Sequence, residues 1–172
     1  MRRAQELDPL TPMWTADLAC LYWCLGQNKR AIEEARKSLE LHPDFSYGLW
    51  ILGEAYADDG MYKEAIAASR KASALDAVWK WALGRSLALG GQEDEARKIA
   101  AEIAKKPLPL ETWGLAELYA GLGDKDETLR WLEAAYKIRW GWMPWIRQVP
   151  SFKFLRSDPR FQDLVRRMKL PQ

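Results

Sequence analysis

Residues 50–65 read WILGEAYADDGMYKEA, and this stretch decides the architecture. At about 100° per residue, Leu52, Gly53 and Tyr56 fall within one sector of a helix. Gly60, four residues past Tyr56, suits the left-handed residue that closes a helix. Ala65, five further on, opens a second helical pattern. The unit reads as helix, tight turn, helix.

The same unit recurs in both directions. Residues 16–22 (ADLACLY), 81–87 (WALGRSL) and 113–119 (WGLAELY) lie over 50–56 without gaps, and Gly26, Gly91 and Gly123 follow at the same distance as Gly60. Ala31, Ala96 and Thr128 then match Ala65. Leu18, Leu52, Leu83 and Leu115 are 34, 31 and 32 residues apart, a period that predicts an all-α solenoid of stacked helix pairs. The small residues let neighbouring helices approach, and the Tyr and Leu side chains fill the space beside them.

The units resemble tetratricopeptide repeats. The first carries the pattern in Leu18, Ala19, Tyr22, Gly26, Ala31 and Pro43, and the second in Leu52, Gly53, Tyr56, Gly60, Tyr62, Ala65 and Ala72. The third (Leu83, Gly84, Gly91, Ala96) and fourth (Leu115, Ala116, Tyr119, Gly123) are shorter matches, and the resemblance covers residues 4–139. It implies a right-handed α-α superhelix, a tetratricopeptide-like solenoid, with a C-terminal capping helix. The expected division is 1–11 as the end of a repeat helix, four hairpins at 12–45, 46–76, 77–108 and 109–139, and a Trp-rich loop with a basic cap over 140–172. Pro9 stands one repeat of 34 residues before Pro43, so the opening MRRAQELDPLTP reads as a cut edge: a piece of a longer array or a shortened cap.

Beyond the repeats, Asp158 followed by Pro159 marks a helix start, and Phe161, Leu164, Val165 and Met168 recur at helical spacing. Residues 149–168 resemble the ending of tetratricopeptide arrays in bacterial signalling proteins, notably winged-helix transcriptional regulators and serine/threonine kinases. Neither a kinase signature nor a DNA-reading motif accompanies it. From Lys137 onward there are nine Lys or Arg and two Asp. That balance offers nucleic acid or an acidic protein as an alternative partner. Against it stands the reading in which arginine stems cover the cap's apolar surface.

Composition narrows the rest. The chain has 172 residues, 48% hydrophobic and 29% charged, with a formal net charge of +2, as in a globular domain. No stretch approaches the roughly 18 apolar residues of a membrane span, and no signal peptide is visible, so a cytoplasmic setting is the default. Cys20 and Cys24 stand one helical turn apart, which is neither a disulfide framework nor a zinc spacing. The one histidine, His42, precedes Pro43 at a helix end with no nucleophile placed beside it. No catalytic, cofactor or metal residues are therefore assigned, and the expectation is a protein-protein interaction module.

The expected partner surface is the concave face lined by the first helix of each pair. Trp50, Trp81 and Trp113 are equivalent in the repeat and sit one residue from the family's characteristic Trp, which rotates them by about 100°. They either seal the joints between consecutive first helices or form a row that grips a peptide or helix. Asp17, Cys20, Glu54, Asp58, Arg85 and Glu117 fall beside that row. Family members that hold a peptide's terminal carboxylate use Lys and Asn where this chain has Cys20, Glu54, Arg85 and Glu117, so that clamp is absent. An acidic, aromatic groove favours a basic or apolar segment of a partner, and the tail of a second copy would fit the same description. Self-association through an open end repeat is a further alternative.

Overall fold

The computed structural model describes residues 11–169. The expected division at 1–11 falls almost wholly outside them.

Eight helices form four antiparallel pairs: α1 (Pro12–Cys24) with α2 (Asn28–Leu41), α3 (Ser46–Asp58) with α4 (Tyr62–Leu75), α5 (Lys80–Leu89) with α6 (Glu93–Ile103), and α7 (Pro109–Gly121) with α8 (Lys125–Lys137). Each pair turns on a glycine with positive φ: Gly26 at 70°, Gly60 at 80°, Gly91 at 80° and Gly123 at 71°. The residue after each glycine donates its N–H to a carbonyl five positions back, as in Gln27 N to Tyr22 O at 2.8 Å and Met61 N to Tyr56 O at 2.9 Å. This double closure satisfies the last carbonyls of the helix and reverses the chain. The fold is an all-helical, right-handed α-α superhelix of the tetratricopeptide kind.

Close packing between first helices rests on small residues. A Cβ on Gly114 would stand 2.2 Å from Cγ of Trp81, so the indole of α5 lies flat against the backbone of α7. A Cβ on Gly53 would stand 2.4 Å from Oγ of Ser69, within its own pair. The third pair is reached through one 3-10 turn, Ala77–Trp79, capped by the Asp76 carboxylate, which accepts from Val78 N at 3.1 Å. This turn takes up the shortened joint and carries Trp79 into the core.

After α8 the chain departs from the loop expected there. Two 3-10 segments, Met143–Trp145 and Pro150–Leu155, lead to α9 (Pro159–Arg167). Met143, Ile146, Val149, Phe152 and Leu155 are all buried, one at every third position. A 3-10 helix has three residues per turn, so such a series stays on one side of the segment. Pro144 and Pro150 sit in the first turns of the two segments, where their missing N–H is tolerated. Helix α9 begins as expected, with Asp158 accepting from Arg160 N at 2.9 Å and Pro159 in its first turn. Its buried Phe161 and Leu164 complete the apolar core.

Candidate functional site

The concave face is built by α1, α3, α5 and α7, and residues 140–155 lie on it. Trp142 meets Trp50 edge-on with ring centroids 5.8 Å apart, and Phe152 meets Trp113 at 5.2 Å and 88°. Ser151 Oγ donates to Glu117 Oε2 at 2.9 Å. The chain's own C-terminal segment thus occupies the groove that its first helices create.

Every residue expected to line an open groove is consequently found at a floor or an edge. Trp50, Trp81 and Trp113 are buried, as are Cys20, Glu54, Arg85 and Glu117, while Asp17 and Asp58 are partly exposed. The row of tryptophans is not presented to solvent. Trp50 stacks on Trp79 at 4.7 Å and 13°, and it touches Trp23, Tyr47 and Trp81 at 6.2, 5.3 and 5.8 Å. Trp81 fills the joint against Gly114. In these positions the tryptophans seal joints and support the C-terminal segment at once.

Beneath the aromatic layer lies a charged centre. Arg85 donates from Nη1 to Glu54 Oε2 and from Nη2 to Asp58 Oδ1, both at 2.6 Å. Asp58 Oδ2 accepts from Trp23 Nε1 at 2.6 Å, and Glu117 Oε1 accepts from Trp113 Nε1 at 2.5 Å. Glu54 and Glu117 are 0% exposed and Arg85 is 2% exposed. Two carboxylates, the buried Glu54 and the partly exposed Asp58, bind the guanidinium directly, and the buried Glu117 acts on it through its charge. Burial pushes the Glu117 carboxyl up to about 7, against the opposing influence of Arg85 and of the Ser151 and Trp113 hydrogen bonds. Burial likewise holds Glu54 well above the ordinary carboxylate range, with Arg85 again opposing. Burial also disfavours the charge on Arg85, but Asp58 and Glu54 outweigh it, and its pKa is raised. The pair is a buried ion pair that links α3 to α5, with Glu117 of α7 close by in its protonated or ionised form.

The thiols belong to the same face. Cys20 is held above the ordinary thiol range, first by its hydrogen bond with Cys24 and then by burial, which makes it a poor nucleophile. Tyr47 donates to Asp17 Oδ1 at 3.1 Å. Asp17, Cys20, Leu21, Cys24, Tyr47, Trp142 and Trp145 enclose a cleft of about 190 Å³ at the edge of the filled groove. Among the described residues no cluster of His, Cys, Asp and Glu could hold a metal ion. Among them, too, no helix is long and apolar enough to cross a membrane.

Of the basic C-terminal residues, the three arginines of α9 are engaged by carboxylates. Arg160 pairs with Asp126 at 2.7 Å and Asp158 at 3.0 Å, and Arg166 pairs with Asp163 at 3.0 Å. Arg167 pairs with Glu133 and with Asp163. These contacts fasten α9 to α8 and lower the positive field that the sequence shows in this region.

The reading from sequence named the groove residues but not their occupant. Trp142, Ser151 and Phe152 make its contacts, and Met143, Ile146, Val149 and Phe152 are buried along the same segment. Their signal was the apolar recurrence at every third position, which neither the helical nor the strand period matches.

Fold and site together define a helical-repeat protein whose concave face is filled by its own C-terminal segment. The tetratricopeptide repeat family model matches residues 16–45 and 48–78, the first two hairpins. Over 74 residues the chain is 31% identical to small glutamine-rich tetratricopeptide repeat-containing protein 2 of Mycosarcoma maydis. That match takes in 43% of this chain and only 21% of the relative. Solved structures share the fold. A thermophilic TPR protein of Thermus thermophilus, TTC0263, superposes with a TM-score of 0.64 at 22% identity, covering 98% of this chain and 87% of that one. MamA superposes with a TM-score of 0.54 at 24% identity, covering 80% and 84%. Tetratricopeptide proteins generally mediate protein-protein interaction, and the fold is generally non-catalytic.

Proposed function

We propose that this chain is a non-catalytic scaffolding or regulatory module that binds a peptide or helix of a protein partner on its concave face. The floor of that face is Trp50, Trp81 and Trp113 with Glu54, Asp58, Arg85 and Glu117, and its edge is Asp17 and Cys20. The observation that carries the proposal is the occupancy by residues 140–155. Trp142 and Phe152 pack on Trp50 and Trp113, and Ser151 donates to Glu117, so the face receives an apolar, aromatic segment with a small polar donor. A partner segment of similar character takes the same place by displacing the tail. The Asp17 edge, with Tyr47, Trp142 and Trp145, favours a basic or apolar side chain beside it.

Competition with the tail is the test. The double variant Trp142→Ala/Phe152→Ala, shown by circular dichroism to keep its helices, should capture more partner from a cell lysate than the wild type. A free peptide of residues 140–155 should then reduce that capture. Equal capture by both proteins, unaffected by the peptide, would refute the proposal.

A further inference from the structure

The C-terminal segment fills the groove incompletely and leaves a second cleft, of about 750 Å³, against α1. One wall is Cys24 and Leu25 at the end of α1, and the other is Arg147, Gln148 and Arg156 with α9. Three features distinguish it. No carboxylate lines it. Arg147 makes no ion pair or side-chain hydrogen bond among the described residues, and Arg156 reaches only the Arg147 carbonyl, at 2.9 Å. Helix α9, by contrast, has all its arginines paired to carboxylates, whereas these two guanidiniums, both lining the cleft, have no ion pair among the described residues. Finally, the rim is apolar and open. Leu25 is 66% exposed and Trp145, in the adjoining cleft that shares Cys24, is 44% exposed.

From this juxtaposition we infer that the cleft between α1 and the C-terminal segment binds an acidic, leucine-rich peptide segment of a partner protein, with Arg147 and Arg156 taking its carboxylates. Guanidinium forks bind carboxylates through paired, charge-assisted hydrogen bonds. Leu25 and Val165 give its aliphatic side chains a place to leave water. Phosphate-rich ligands fit less well, because affinity for nucleic acid needs a series of cations along a backbone and this cleft has two beside an apolar wall. The cleft is open with residues 140–155 in place, so it operates without the tail displacement proposed above and is tested separately from it.

The test uses the full chain and three short fluorescein-labelled peptides that alternate Leu with Glu, Gln or Lys, read by fluorescence anisotropy. The Glu-Leu peptide should bind at least about tenfold tighter than the Gln-Leu peptide, and the Lys-Leu peptide weakest of all. Arg147→Glu should abolish the preference for Glu-Leu. Arg147→Gln, which removes the charge without reversing it, should weaken Glu-Leu binding by about tenfold and serves if the reversed charge disturbs folding. Arg70→Glu, an equal charge change at an exposed position of α4, should leave binding unaltered. Equal affinity for the Glu-Leu and Gln-Leu peptides would overturn the inference, as would equal losses in Arg147→Glu and Arg70→Glu. Tighter, Arg147-dependent binding of a single-stranded oligonucleotide would overturn it in favour of a nucleic-acid site.

Discussion

At the scale of single residues, Glu117 has the clearest consequence. Its carboxyl is fully buried and titrates near 7 in the folded chain, against about 4.3 for an unfolded Glu. Between those values the folded state holds more protons than the unfolded one, so stability falls as pH rises through this window. It is greatest below the unfolded value. Glu54, also raised by burial, acts in the same direction. Glu117→Gln can accept from Trp113 Nε1 with its oxygen and donate to Ser151 Oγ with its amide N–H, and it cannot ionise. Urea unfolding at pH 5 and pH 8 should show a smaller loss of stability in the variant, the difference being on the order of 3 kcal/mol at most. A wild-type curve flat over this range would show that Glu117 is solvated in solution. Arg139 gives a second case. It sits at φ 53° after α8, and Trp140 N donates to Ala135 O at 3.0 Å, the same closure that glycine provides in the four hairpin turns. A non-glycine residue in that region carries strain of about 1 kcal/mol or more. Arg139→Gly should therefore raise stability by about 1 kcal/mol in thermal or urea unfolding, whereas a loss would mean that its side chain contributes more than the strain costs.

At the scale of elements, what the sequence disclosed and what it withheld divide along locality. The helix pairs were legible because their determinants are local: a glycine closing each first helix and a small residue opening each second. The register of Trp50, Trp81 and Trp113 was also legible, as was the grouping of Glu54, Arg85 and Glu117 beside it. Whether they would seal joints or face a partner stayed open, because a helical wheel gives the direction of a side chain and not what covers it. The cover is a segment about thirty to ninety positions away in sequence, and its own prolines, Pro144 and Pro150, hide its periodicity from a search for α-helices. The occupancy has a test at this scale. Phe152 is fully buried against Trp113, and a Phe→Ala change in such a place costs about 3–5 kcal/mol. Native-state hydrogen exchange of Phe152→Ala should speed up by about a hundredfold or more at residues 143–155 and change little in α2 and α4. Uniform acceleration along the chain would mean that the segment and the array unfold as one unit. Between first helices, Gly114→Ala should displace the Trp81 indole and cost about 1–3 kcal/mol, since the added methyl would lie inside the ring's contact distance.

For the whole molecule, the returning segment changes what a solenoid is. An array of four helix pairs alone has a concave face and two ends, and it buries surface only between neighbours. Here the chain crosses its own groove and brings α9 beside the end of α1, where Phe161, Gln162 and Val165 share a cleft with Cys24 and Leu25. The accessible surface is 9212 Å², close to the roughly 8600 Å² expected of a compact monomer of this mass. Release of the tail would undo that compaction. A compact chain of 172 residues has a radius of gyration of about 16 Å. With residues 140–169 detached as a coil the value should rise by about 2 Å. Small-angle X-ray scattering of the wild type should therefore give the compact value, and Trp142→Ala/Phe152→Ala the larger one, at unchanged helical ellipticity. Because the ionised carboxylates of Glu54 and Glu117 share one guanidinium beneath the tail, water entry is favoured as pH rises, and the variant's expansion should be larger at pH 8 than at pH 5. An identical radius for both proteins at both values would place the tail's hold on the array in contacts other than Trp142 and Phe152, and would take from the groove its role as an exchangeable seat.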